Sequence, residues 1–85
     1  MTPSVKHRVQ LFASWSDTLG PMVEVELPDG ARVSDLLATL AAQAKAKSPK
    51  PLPRPLVAVN QRYAKPDQAL AAGDELAIIP PVAGG

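Results

Sequence analysis

Few side chains in this sequence can do chemistry unaided. Cysteine is absent, which removes disulfides, thiolate nucleophiles, iron–sulfur ligation and thiolate zinc sites together. His7 is the single histidine. Without a second histidine or a cysteine it completes neither a metal site nor a Cys-His pair, and on the inward-reading face of a strand it reads as structural. Asp74 and Glu75 are adjacent carboxylates, the groups that general acid–base catalysis employs. Consecutive strand residues point to opposite faces, however, and a glycine-containing turn beside them predicts two solvated side chains. No GxGxxG and no GxxxxGK followed by Ser or Thr occurs, so nucleotide binding has no motif support.

What remains is the run Ile79, Pro80, Pro81, Val82, Ala83, Gly84, Gly85. Its prolines project the end from the domain as a semi-rigid arm, and its glycines let backbone enter a channel too narrow for a Cβ atom. Read from the residues alone, the same run also describes a frayed terminus of small residues.

Such an arm needs a domain to carry it. Eighty-five residues, 46% hydrophobic and 20% charged, make one small globular domain, since domains mostly run from about 50 to 200 residues. Ten prolines and five glycines fall short of low-complexity composition. The division expected is a domain over residues 1–79 and an arm over 80–85.

From His7 to Ala13 the odd positions are mostly apolar while Lys6, Arg8 and Gln10 alternate with them, a period-2 strand pattern. Phe12 breaks the alternation, so it covers the second sheet face or forms an exposed contact. Residues 14–21 carry turn chemistry. Val23, Val25 and Leu27 then alternate with Glu24 and Glu26, which predicts an antiparallel hairpin with the first strand.

Leu36, Leu37, Leu40, Ala41 and Ala44 are spaced as one apolar helical stripe, with Ser34 as the expected N-cap, Asp35 at the positive end of the dipole and Lys45 and Lys47 at the other. Residues 48–55 place proline at every second position, which forbids helix and favours polyproline II. This stiff loop meets a loose pattern for SH3-like docking, but a spacer between helix and strand is the reading its composition favours. Leu56, Val57, Ala58 and Val59 read as a buried strand ended by Asn60 and Gln61, Leu70 as a satellite core residue, and residues 75–79 as a last strand stopped by the two prolines. Strand, strand, helix, strand, strand is an α+β layout with one main helix covering one sheet face. If the first and last strands pair in parallel at the centre, the fold is the ubiquitin-like β-grasp.

Nine Lys plus Arg against eight Asp plus Glu leave a net charge of +1, too little to gather nucleic acid or anionic lipid. The uninterrupted apolar runs are four residues long, too short for a membrane span or a signal-peptide core. The expectation is a cytoplasmic protein of a reducing compartment.

Over its whole length the sequence resembles the ubiquitin-like sulfur carriers, in particular the small subunits of molybdopterin synthase. The likeness is strongest at Val57-Ala58-Val59-Asn60-Gln61, at Leu70, at Gly73-Asp74-Glu75-Leu76 and at Pro80-Pro81-Val82-Ala83-Gly84-Gly85, with Leu11-Phe12-Ala13 and the helix from Ser34 matching by pattern. It departs from that family at Ser16 and Asp17, where a basic and an acidic residue are frequent, and at Ile79, where an aromatic residue is.

The resemblance implies that an E1-like enzyme uses ATP to adenylate the Gly85 carboxylate, and that a sulfur donor enzyme converts the acyl-adenylate to a thiocarboxylate. The carrier itself would hold no cofactor. It would dock on a large catalytic subunit through Phe12, Ile79, Pro80, Pro81, Val82 and Ala83 while Gly84 and Gly85 thread inward, the assembly being a heterotetramer. Sulfur would pass to a cyclic pyranopterin precursor of the molybdenum cofactor. The thiazole-forming carrier of thiamin synthesis is the nearest alternative, and it usually lacks the Pro-Pro-Val. A general sulfur donor or protein modifier and a non-catalytic ubiquitin-like interaction module are the others.

Overall fold

A computed structural model describes residues 3–50, 52 and 54–80. In chain order these form β1 (Ser4–Leu11), α1 (Ala13–Leu19), β2 (Met22–Pro28), α2 (Val33–Lys47), β3 (Leu56–Val59), β4 (Arg62–Tyr63) and β5 (Leu76–Ile79). The strands make one sheet in the order β2-β1-β5-β3-β4. β1 pairs antiparallel with β2 and parallel with β5, and β5 pairs antiparallel with β3. The first and last strands therefore lie side by side in the middle of the sheet, as the β-grasp expectation requires.

Alternation decides which side chains face the helix. In β1, His7, Val9 and Leu11 are buried while Lys6, Arg8 and Gln10 are exposed. In β2, Val25 and Leu27 are buried between exposed Glu24 and Glu26. Leu76 and Ile78 of β5 and Val57 and Val59 of β3 join them, and Val33, Leu36, Leu40 and Ala44 of α2 close the core from above. The stripe is as spaced, except that Leu37 is only partly buried and Ala41 is exposed. Leu70 belongs to the same core.

Three expectations are corrected. Residues 14–21 are not a simple turn, because Ala13–Leu19 form two turns of helix that bury Trp15 against the core. A helix this short holds too few apolar positions to show a 3.6-residue period. Ala13 enters it at φ 54° and Gly20 leaves it at φ 98°, its N–H donating to the Ser16 carbonyl at 2.7 Å. The first strand accordingly stops at Leu11, and Ala13 belongs to α1.

Ser34 is not the N-cap of α2. The helix starts at Val33 with Arg32 as cap, and the Asp35 carboxylate accepts the Arg32 N–H at 2.8 Å. The amides of Val33 and Ser34 donate to the carbonyls of Gln68 and Pro66, both at 2.9 Å. A neighbouring chain segment thus satisfies first-turn donors that a capping side chain would otherwise take.

The strand count is five among the described residues rather than four. Asn60 (φ 52°) and Gln61 (φ 69°) are both left-handed, the signature of a type I′ turn. They fold Arg62–Tyr63 back onto β3, pairing Ala58 with Tyr63 and Val59 with Arg62. Two residues are too few to carry an alternation. No described helix is long and apolar enough to cross a membrane.

Candidate functional site

The run expected as an arm follows β5 in the chain. Because β5 is paired on both sides, the end of the strand is fixed from two flanks. Leu11 pairs with Ile78 on one flank and Leu56 pairs with Ile79 on the other. Pro80 follows, half-buried, outside the strand, and the missing N–H of proline ends the ladder there.

The start of β5 is held as firmly by a polar clamp. Asn60 Nδ2 donates to Asp74 Oδ1 at 3.0 Å, the Glu75 amide donates to Asn60 Oδ1 at 3.0 Å, and the Asn60 amide donates to the Glu75 carbonyl at 2.8 Å. Asp74 Oδ2 also accepts the Ala71 amide at 2.8 Å. Gly73 stands in that loop at φ 86°, a conformation suited to glycine. Asp74 is therefore not merely solvated. Its carboxylate organises the loop that leads into β5, while Glu75 projects into solvent as expected.

The sheet face turned away from α2 carries exposed apolar groups. Phe12 is 46% exposed, Met22 47%, Leu56 42% and Tyr63 69%. Ile79 is half-buried among them, and small Ala58 and Ala77 leave the middle of the face low. Phe12, Met22, Tyr63 and Ile79 line one shallow depression of about 740 Å³, with Lys6, Arg8, Asp74 and Glu75 also on its walls. On the same face Lys6 lies opposite Glu26 and Arg8 opposite Glu24, so the charges there alternate in sign.

Of the residues expected to dock a partner, the structure thus brings Phe12 and Ile79 to one face, with Pro80 directly after. Pro81, Val82, Ala83, Gly84 and Gly85 lie outside the described residues. Met22, Leu56 and Tyr63 join that face without having been expected there. Leu56 was hidden by its place in a wholly apolar run. Its signal was the strand period, which puts Leu56 and Ala58 on the face opposite Val57 and Val59.

His7 is 3% exposed, opposite Val25 on the inner face. Its Nδ1 is buried without a hydrogen-bond partner. No group of three or more His, Cys, Asp or Glu among the described residues is arranged to hold a metal ion.

With this geometry in place, the chain can be compared with known proteins. It is 45% identical over 81 residues to the molybdopterin synthase sulfur carrier subunit of Chlamydomonas reinhardtii, covering 92% of this chain and 96% of that one. Its fold superposes on the crystal structure of small archaeal modifier protein 1 of H. volcanii with a TM-score of 0.76, at 30% identity over 92% of this chain and 99% of that chain. A putative molybdopterin converting factor, subunit 1, from Pyrococcus furiosus gives a TM-score of 0.75 at 32% identity, with the same coverage. The model of the ThiS family matches residues 9–85, running from the first core residues of β1 to the final glycine, and the chain belongs to that family.

Proposed function

We propose that this chain is the sulfur carrier subunit of a molybdopterin synthase, donating sulfur from a Gly85 thiocarboxylate to a cyclic pyranopterin precursor. The observation that carries this reading is the 45% identity, over nearly the full length of both chains, to a molybdopterin synthase sulfur carrier subunit. The exposed apolar face that leads into Pro80 supports it, because a tail threaded into a partner needs a docking surface at its root.

The chemistry asked of the chain is modest. A carboxylate is a poor electrophile until its oxygen attacks the α-phosphate of ATP, releasing pyrophosphate and forming a mixed anhydride with AMP. Sulfur delivered by a donor enzyme at the sulfide level then attacks the carbonyl carbon, the new C–S bond forming as the C–O bond breaks and AMP leaves. An E1-like enzyme holds the ATP, and the carrier holds no cofactor. Gly84 and Gly85 present no side chain to either attack, and β5 anchors the root of the arm.

The thiocarboxylate is anionic near neutral pH and polarizable, so no general base need lie near it, by analogy with low-pKa thiolates. Groups that bind the pterin belong to the large catalytic subunit, in a cytoplasmic heterotetramer of two carriers on a dimer of large subunits.

A second pathway stays in view, since a thiazole-forming carrier of thiamin synthesis would be loaded by the same steps. Intact mass after incubation with ATP, a cognate activating enzyme and a sulfur source tests the shared step. Replacement of one oxygen by sulfur at Gly85 is expected, and an unchanged mass with a demonstrably active enzyme overturns the reading. Adding the loaded carrier to a large synthase subunit with pyranopterin, or to thiazole precursors, separates the two pathways.

A further inference from the structure

A second recess lies on the helical side of the molecule, away from the sheet face described above. It is a groove of about 610 Å³ between α2 and the proline-rich segment that follows it. Trp15, Leu37, Ala41 and Leu52 give it an apolar floor, and Lys45, Lys50 and Arg54 stand on its walls. Leu37 and Leu52 pack against the core from the groove side and remain only partly buried.

The charge distribution is uneven. Eight acidic residues occur in the chain, yet none lines this groove while three cations do. On the opposite sheet face the cations of β1 stand across from the glutamates of β2. Pro49 and Pro55 stand on the wall with φ fixed by their rings, which limits how far the groove can collapse when empty.

We propose that this groove docks an acidic, apolar segment of a partner protein, with hydrophobic anchors on the floor and flanking carboxylates on Lys45, Lys50 and Arg54. The volume falls within the about 300–1,000 Å³ of concave binding sites, and charge complementarity of this kind sets specificity and register. The inference does not depend on the sulfur-carrier reading. The groove and the sheet face occupy opposite layers, so a chain held by its sheet face still presents the groove to a second protein.

The test uses the full chain and a display library of random 12-residue peptides, panned on the wild type and counter-selected on a Lys45→Glu, Lys50→Glu, Arg54→Glu variant whose fold is checked by circular dichroism. All three positions are exposed, so the fold is expected to survive. Enriched peptides should combine Leu or Phe with Asp or Glu and shift the amide resonances of α2 and of Ser48, Lys50, Leu52 and Arg54. They should lose at least about tenfold in affinity on the charge-reversed variant. Ala41→Trp, which fills the floor at an exposed helix position without altering charge, should weaken them comparably.

No enrichment overturns the proposal, as does a basic or uncharged consensus. So do shifts confined to the sheet face, or affinity unchanged by both variants. Binding of phosphatidylserine vesicles without any peptide enrichment would assign the groove to a membrane surface instead. Self-association that the charge reversal abolishes would assign it to a second copy.

Discussion

Asn60 and Asp74, fourteen positions apart in sequence, are joined by a 3.0 Å hydrogen bond, and with Glu75 they tie the β3–β4 turn to the loop that feeds the central strand. Asn60 serves two needs at once. It tolerates a left-handed backbone at φ 52°, and its amide group both donates to Asp74 and accepts from the Glu75 N–H. Asn60→Ala and Asp74→Ala are each expected to lower stability by about 1–2 kcal/mol in urea unfolding. The double variant should lose less than the sum of the two. Strict additivity would mean that the clamp has no energetic content.

The exposed apolar face makes a separate prediction, because its residues contribute little to the core. Leu56→Glu and Phe12→Glu should leave the unfolding midpoint almost unchanged, as surface substitutions usually shift stability by less than about 0.5 kcal/mol. Each should weaken association with the large synthase subunit by at least about tenfold, the usual consequence of removing an apolar anchor from a desolvated interface. Calorimetric titration reads the affinity directly.

Deletion of Gly85 should abolish the sulfur-dependent mass increase while leaving the circular dichroism spectrum and the unfolding midpoint unchanged. Gly84→Val should still dock through the sheet face but fail in turnover, because a branched side chain next to the reacting carboxylate blocks passage along a narrow channel. Sulfur transfer at wild-type rate by either variant would remove the terminal glycines from the mechanism.

His7 supplies a stability prediction of opposite sign. Its Nδ1 is buried with no partner, so the ring carries a desolvation cost that no hydrogen bond at that atom offsets. His7→Leu should be neutral or stabilising by up to about 1 kcal/mol, since an apolar side chain of similar size suits an inward position opposite Val25. A loss of more than about 2 kcal/mol would show that the ring does more than fill space.

The sequence was legible wherever a period ran long enough to be seen. The alternation in β1 and β2, the stripe of α2 and the buried run of β3 were all visible, because burial against one core imposes them. What escaped depended on partners distant in the chain. The cap of α2 fell to Arg32 rather than Ser34 because residues 66–68 supply carbonyls to its first turn. α1 and β4 are too short for any period, and Leu56 looked like core because composition does not tell two faces of a buried strand apart. The run 80–85 stood out through its glycine and proline chemistry, and residues 81–85 lie outside the described residues. The exposed apolar face was not legible beyond Phe12 and Ile79, because a patch gathered from four strands and a helix boundary has no signature in any one segment.

The central place of β5 has a mechanical and a biosynthetic consequence. The strand that bears the arm is the last of the described strands to be made, yet it fills the gap between β1 and β3. Before it arrives, the two halves of the sheet share no hydrogen-bonded ladder and the core lacks Leu76 and Ile78. The sheet thus cannot be completed until β5 has been made. Once folded, a pull on Pro80 runs along β5 and loads the ladders to both neighbours in shear, so that many bonds resist together rather than unzipping in turn. A force applied at Pro80 is thus borne by the sheet without stripping the strand from it.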